Sequence, residues 1–215
     1  MAVSLAHERV LWDAGAIIVA GIDEVGRGAL AGPVSVGVCA LGPCDVWPEG
    51  LADSKELTRA ARERLAAPLA EYGAARAVGH ASAEEIDAVG IIAALRLAAL
   101  RALAEVGPVD AILLDGKHDW LSAPPATLLD EAEPVAVPPV RMVIKGDTLC
   151  ASIAAASVLA KVERDAIMRA AHGEHPEFGW EGNKGYGAAG HLDAIREHGP
   201  TPWHRRSWAL PEHSG

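Results

Sequence analysis

Hydrophobic positions along the 215 residues fall into blocks with either strand-like or helix-like spacing. The first block, residues 16–41, reads AIIVAGIDEVGRGALAGPVSVGVCAL. Ala16 to Ile22 is almost uniformly apolar, the pattern of a central strand buried on both faces. Val34 to Leu41 repeats that pattern after Gly32 and Pro33 break the chain direction, and the turn Gly26-Arg27-Gly28 lies between the two. Thr58 predicts a helix N-cap before ARERLAAPLAEYG, a helix that Pro68 should kink or end. Ala74 to His80 predicts a third strand. Ser82 and Glu85 have capping-box spacing and open a helix through Asp87. After Gly90, the run IIAALRLAALRALAEV carries Leu95, Leu100 and Leu103 with Arg96 and Arg101, and predicts a long, mostly buried helix.

Two shorter apolar runs follow. Val109 to Leu114 ends in Asp115-Gly116, and Val140 to Ile144 ends in Lys145-Gly146-Asp147, with a proline- and acid-rich surface loop from Pro124 to Pro139 between them. The alanine-rich CASIAAASVLAKVERDAIMRAA predicts a helix whose narrow face packs close to a sheet. Residues 173–187 read as a glycine- and charge-rich loop, 190–198 as a short helix, and GPTPWHRRSW as an irregular basic tail. Three strands, then helices, then two more strand-and-helix units predict an α/β fold: a mixed β-sheet flanked by helices, with a small C-terminal helical segment. The expected division is a catalytic body over 1–172 and a helical and loop segment over 173–215 that packs on the substrate side.

Composition narrows the function. Half the residues are hydrophobic, but no apolar run reaches membrane-spanning length, and MAVSLAHERV lacks the apolar stretch of a secretory signal. The expectation is a cytoplasmic, monomeric protein with no membrane association and no evident protein partner. Cys39, Cys44 and Cys150 form no CxxC and read as reduced packing residues. A net charge of −10 opposes indiscriminate nucleic-acid binding. The acidity is uneven, however: residues 1–140 carry 10 Lys+Arg against 20 Asp+Glu, while 141–208 carry 9 against 8.

Asp23 and Glu24 are the first sign of chemistry. Two adjacent carboxylates on a rigid strand end repel each other, and such a pair persists where a shared proton or a cation compensates it. Hard divalent cations take oxygen ligands of this kind. Asp115 and Asp147 also follow apolar runs, so three strand ends each deliver an acid, in the region where α/β sheets collect catalytic groups. GRGALA satisfies a GxGxxG/A dinucleotide pattern, but the preceding acids would repel a pyrophosphate, and Gly32-Pro33 breaks the chain where a phosphate-binding helix should start.

The segments GIDEVGRGALAGPV, LADSKELT, LLDG, KGDTLCASIAAASVLAKVERD, GYG and PWHRRSW, in this order, resemble the bacterial type 2 ribonuclease H family, ribonuclease HII. The resemblance covers about residues 16–208 and implies a ribonuclease H-like sheet. It implies endonucleolytic hydrolysis of RNA in RNA–DNA hybrids, and cutting on the 5′ side of ribonucleotides embedded in duplex DNA, leaving 3′-hydroxyl and 5′-phosphate ends. The matching catalytic and metal-binding positions are Asp23, Glu24, Asp115 and Asp147, with Mg2+ or Mn2+ as two divalent ions in the presence of substrate. The resemblance also assigns 2′-hydroxyl reading to Gly26, Arg27 and Gly28, deoxyribose packing to Tyr186, and phosphate or active-site contacts to Lys55, Ser152 and Lys161.

Other readings compete at several positions. Arg27 could be a solvated loop charge, Tyr186 a core anchor, and Asp53 a turn brace. Lys161, Glu163, Arg164 and Asp165 fit ordinary pairing on a helix surface. His172 and His175 lack the spacing and partners of a zinc site. His204-Arg205-Arg206 stays open between a solvated cluster and a phosphate contact. Ala188 replaces a threonine common in the family and would remove a hydroxyl near substrate, while Trp208 replaces a phenylalanine and would affect packing alone. The sibling type 3 enzymes carry an extra N-terminal domain, which 15 residues before the first strand do not supply. A phosphodiesterase of the same fold acting on another nucleic-acid structure, and a binder without catalysis, are the alternatives; the full set of acids argues against the second.

Overall fold

The computed structural model describes residues 3–52, 57–122 and 135–213. One sheet has the order β3-β2-β1-β4-β5, from β1 (Val19–Val25), β2 (Val34–Leu41), β3 (Ala75–Ala81), β4 (Ala111–Asp115) and β5 (Val140–Val143). β2 is antiparallel to β1 and β3, whereas β4 runs parallel to β1 and β5 parallel to β4. The sheet is therefore mixed, and β1, β4 and β5 bring their carboxyl ends to the same side. An antiparallel strand, not a helix, follows the glycine turn, which removes the dinucleotide-binding alternative.

β1 is displaced from its apolar run. Ile17 is 69% exposed because the Asp110 carboxylate accepts the Ile17 and Ile18 amides, both at 2.8 Å, before the ladder begins at Val19 opposite Ala111. At its other end the strand continues past both acids, since β2 pairs with it as far as Val25 opposite Ser35. Asp23 and Glu24 are thus strand residues that point to opposite faces.

α5 (Ala151–Glu174) lies across one face of the sheet and α4 (Ile91–Val106) across the other. The alanine-rich face of α5 packs as closely as its composition predicts. A Cβ at Gly21 of β1 would lie 2.3 Å from the Ser152 main chain, and one at Gly37 of β2 would lie 2.1 Å from the Ala156 carbonyl oxygen. On the opposite face Gly79 of β3 admits Ala98 in the same way, with a hypothetical Cβ 2.0 Å from its carbonyl oxygen. This close approach selects alanines over leucines. α4 buries Ala94, Leu95, Ala98, Ala99 and Ala102, while Leu100 and Leu103 are only half-buried, so the helix is less enclosed than its leucines imply.

α2 (Arg59–Ala70) starts at Thr58, whose hydroxyl accepts the Ala61 amide at 3.2 Å, and it accommodates Pro68 in its last turn. α3 (Ala83–Val89) opens on the predicted capping box. α1 (Ala6–Asp13) has no counterpart in the sequence reading. Its Glu8 is fully buried and accepts hydrogen bonds from the Ser152 amide at 2.9 Å and the Ser152 hydroxyl at 2.7 Å, capping the first turn of α5.

The segment read as a loop after residue 172 holds a 3-10 turn at Pro176–Phe178 and α6 (Trp180–Asn183), and α7 (Ala189–His198) follows. Phe178, Trp180, Ala194 and Ile195 pack with Met168 and Ala171, so α5 serves both the sheet and the C-terminal segment. All three cysteines are free, and Cys39 and Cys150 are buried. Among the described residues no helix is long and apolar enough to cross a membrane. Most of the Pro124–Pro139 loop lies outside the described residues.

Candidate active site and nucleic-acid interface

Register brings the acids together. Ile22 pairs with Leu114 across β1 and β4, which sets Asp23 level with Asp115, and Asp115 lies opposite Val143 of β5. Lys145 then adopts a left-handed conformation with φ of 57°, a strained setting for a residue with a side chain, and turns the chain into a 3-10 turn, Gly146–Thr148. That turn presents Asp147 beside the other acids. The site before it is tight: a Cβ at Gly146 would lie 2.5 Å from Ile153 Cδ1 and 3.3 Å from Asp115 Oδ1, so a side chain there would displace Ile153. The Gly146 amide donates to Asp115 Oδ1 at 2.7 Å, and the Glu24 amide donates to Asp23 Oδ1 at 2.8 Å.

Asp23 points toward α5, where Ser157 hydrogen-bonds it. Burial pushes the Asp23 carboxyl up to about 8; the Ser157 bond opposes that shift, and the charges of Asp115, Glu24 and Asp147 add to it. Burial also raises the Glu24 pKa, against the pull of Arg27, whose Nη1 donates to Glu24 Oε1 at 3.4 Å. The result is a buried cluster of mutually repelling carboxylates. Among the described residues no three His, Cys, Asp or Glu side chains converge into a ready-made metal site. The donor set nonetheless fits a hard cation. It consists of carboxylate oxygens, and their repulsion is the charge that a divalent ion compensates.

Beside the acids, the Gly26–Pro33 loop is tied down from several sides. Leu30 and Ala31 amides donate to the Gly185 carbonyl at 2.8 and 3.2 Å, Gly32 donates to the Trp203 carbonyl at 2.8 Å, and the Arg205 amide donates to the Leu30 carbonyl at 2.9 Å. Two fully buried arginines grip the loop's carbonyls from beneath. Arg205 donates to Gly26, Arg27 and Gly32 at 2.7, 2.9 and 3.1 Å, and Arg164 donates to Pro33 and Ala31 at 2.8 and 3.2 Å. Gly26 takes a positive φ of 83°, and a Cβ there would lie 2.0 Å from Arg164 Nε. Gly28 is different: it is exposed, and a Cβ there would meet nothing within 4 Å. Packing within the chain does not require glycine at 28, so its open backbone is available to a ligand.

The turn carrying Tyr186 adjoins this loop. The Tyr186 side chain is 39% exposed, its ring sits over the Arg164 guanidinium at 5.6 Å, and its carbonyl accepts from His191 Nδ1 at 2.9 Å. Arg27 is also exposed, like Gly28 beside it in the turn.

Several expectations change. Ser152 leaves the substrate-contacting set, because it is fully buried and bonded to Glu8. Lys161 is bound to Asp165 one turn along α5. Arg164 is no surface residue, and Arg205 is neither a solvated charge nor a phosphate contact, since both are spent on main-chain carbonyls. Ala188 is the N-cap of α7, so a hydroxyl there would cap a helix. Trp208 does more than pack, because its ring lies 4.9 Å from the Arg205 guanidinium. Lys55 and Asp53 lie outside the described residues. Ser157, in the same alanine run, has no sequence signal that sets it apart from Ser152; only the packing of α5 on the sheet brings it to Asp23.

Comparisons with known proteins place the chain in a family. The family model described as Ribonuclease HII matches residues 20–210. A Ribonuclease HII of Streptomyces avermitilis is 52% identical over 197 residues, covering 91% of this chain and 78% of the relative. The fold is shared with the crystal structure of ribonuclease H2 from Pyrococcus horikoshii, at a TM-score of 0.65 and 24% identity over 89% of this chain and 94% of the other. It is also shared with Bst-RNase HIII in complex with Mn2+, at a TM-score of 0.66 and 20% identity over 91% of this chain and 68% of the other. Since the match spans the strand-end acids, the glycine turn, the Tyr186 turn and the arginines beneath them, the chain belongs to the ribonuclease HII family and is a ribonuclease H enzyme.

Proposed function

We propose that the enzyme hydrolyses the RNA strand of RNA–DNA hybrids and cuts duplex DNA on the 5′ side of embedded ribonucleotides, leaving 3′-hydroxyl and 5′-phosphate ends. Its role is removal of ribonucleotides from DNA in the cytoplasm. The observation that carries this reading is the clustering of Asp23 in β1, Asp115 at the end of β4 and Asp147 in the turn after β5, beside a glycine turn whose backbone is open at Gly28.

Asp23, Glu24, Asp115 and Asp147 would hold Mg2+ or Mn2+. When bound, these ions supply the Lewis acidity that activates water and stabilises the leaving 3′-oxygen. The protein's own part is electrostatic and positional. Ser157 keeps the Asp23 carboxylate oriented and favours its charged form. Arg27 does the same for Glu24. Main-chain groups of Gly26-Arg27-Gly28 approach the sugar closely enough to meet a 2′-hydroxyl, which DNA lacks. Tyr186 packs on the deoxyribose of the next nucleotide, and Lys55 contacts a phosphate.

The test is cleavage of a DNA duplex containing one ribonucleotide, with Mg2+, Mn2+ or EDTA, and mapping of the cut. A single metal-dependent cut 5′ to the ribonucleotide is expected. Cleavage persisting in EDTA, or equal cutting of an all-DNA duplex or a branched junction, would overturn the reading.

A further inference from the structure

We infer that Arg164 is a positioning residue that sets the spacing between the glycine turn and Tyr186, and thereby the preference for a ribonucleotide–deoxyribonucleotide junction; this rests on the function proposed above. Arg164 joins three pieces of chain that are distant in sequence. From α5 its guanidinium donates to the Pro33 and Ala31 carbonyls at the end of the glycine loop, and through Nη1 to the Lys184 carbonyl at 3.0 Å in the neighbouring turn. Its remaining face lies under the Tyr186 ring.

Both turns are shaped around this contact. Glycine at 26 leaves room for the guanidinium, and Gly185, at φ 84°, brings its turn so near the loop that a Cβ there would lie 2.3 Å from the Ala31 carbonyl oxygen. α5 also carries Ser157, two helical turns earlier and on the same face, bonded to Asp23. One helix therefore references the acids, the glycine turn and Tyr186 to a common frame. A lysine, with a point charge in place of a planar fork, cannot reach three carbonyls in different directions.

Arg205 supplies the control. Its side-chain hydrogen bonds to Gly26, Arg27 and Gly32 all lie within the glycine loop, and the ring its guanidinium lies over is that of Trp208. It supports one reading element without linking the two.

The experiment measures kcat/KM of the wild type, Arg164→Lys, Arg164→Gln, Arg205→Lys and Tyr186→Ala on two substrates, a duplex with one ribonucleotide and a uniform RNA–DNA hybrid. Folding is checked by thermal melting, and binding of both substrates is measured by anisotropy in EDTA. An Arg164 variant that folds should lose about 10-fold more on the single-ribonucleotide duplex than on the hybrid, as expected when a positioning group shifts a reader by a fraction of an ångström. Adding Tyr186→Ala to it should change that ratio no further, and Arg205→Lys should lower both substrates alike. Equal losses for the Arg164 variants, or multiplicative effects of Arg164 and Tyr186 substitutions, would overturn the inference alone. A wild type that cuts neither substrate would overturn the function proposed above, and this inference with it.

Discussion

The acid edge and the glycine-turn corner are neighbours on one surface, yet they are held in opposite ways. At the edge, like charges are buried together, with Ser157 and the Glu24 amide bonded to Asp23 and the Gly146 amide bonded to Asp115. At the corner, two buried guanidiniums, the Gly185 carbonyl and the tail saturate the loop with partners. The edge concentrates charge that opposes folding; the corner is rigid because folding satisfies it. On the function proposed above, groups that respond to a cation and a reacting phosphate would gain from concentrated charge, whereas groups that measure a sugar would gain from fixed spacing.

The sharpest way to test that contrast is Asp23→Asn. Its activity is expected to fall by about a thousandfold or more, as for removal of a group acting on the transition state. Stability should move the other way. The folded Asp23 pKa lies near 8, above its unfolded value of 3.8, so the native state holds its proton more tightly, and stability falls as pH rises through that window. Asparagine removes this penalty, and urea denaturation at pH 8 should show a gain of about 2 kcal/mol. A destabilised Asp23→Asn, or one with normal cleavage, would break the comparison.

Arg205→Ala probes the corner. It removes the side-chain donor from the carbonyls of Arg27 and Gly32, leaves Gly26 with only the Ala29 amide at 3.2 Å, and opens a cavity, at an expected cost of about 3 kcal/mol in the same denaturation assay. A loss below about 1 kcal/mol would mean that the corner is not held as described.

The two regions should also respond to pH with opposite sign. Behind Tyr186, His191 Nε2 accepts from Trp180 Nε1 at 3.0 Å and lies 3.1 Å from His204 Nε2, while His204 Nδ1 accepts the Thr201 amide at 3.0 Å. The bonds assign both rings as neutral, and burial holds both below the usual histidine range, with His204 pushed down to about 4. A depressed histidine pKa means that the unfolded chain takes up the proton first. Stability is full above about 6.5 and lost as pH falls toward 4, by about 2 kcal/mol. Thermal melts from pH 7 to 4.5 should show this acid limb, and His204→Gln should flatten it.

The smallest effect concerns position 188. Ala188 has N-cap geometry, φ −69° and ψ 151°, but no side-chain oxygen to accept an amide. Ala188→Ser should add about 1 kcal/mol of stability, read as a raised melting temperature. No gain would mean that α7 is already held by its packing.

Much of this was legible in the chain itself. β2, the Thr58 and Ser82 caps, α4 and α5 follow from apolar spacing and cap chemistry, which act within a few residues. The strand-end acids were legible too, because an acid ending an apolar run is a local pattern. α1 was not, since its Glu8 is held by Ser152, a contact across 144 residues, and its Leu11 and Trp12 pack on a cluster whose members lie mostly far along the chain. The start of β1 was misplaced because Asp110, from the β4 side, takes the amides that would have extended it.

The sequence by itself determined the type of fold, the acids that follow apolar runs and the permissive turn beside them, since each is written in neighbouring residues. Only tertiary structure decided which charges face water and which face carbonyls. Arg164 and Arg205 sit in runs of polar residues that look like any solvated surface, and Ser152 and Ser157 look alike in one alanine run. Long-range packing separates them: Ser152 meets Glu8, Ser157 meets Asp23, and the two arginines meet main-chain oxygens that no local pattern could have left without donors.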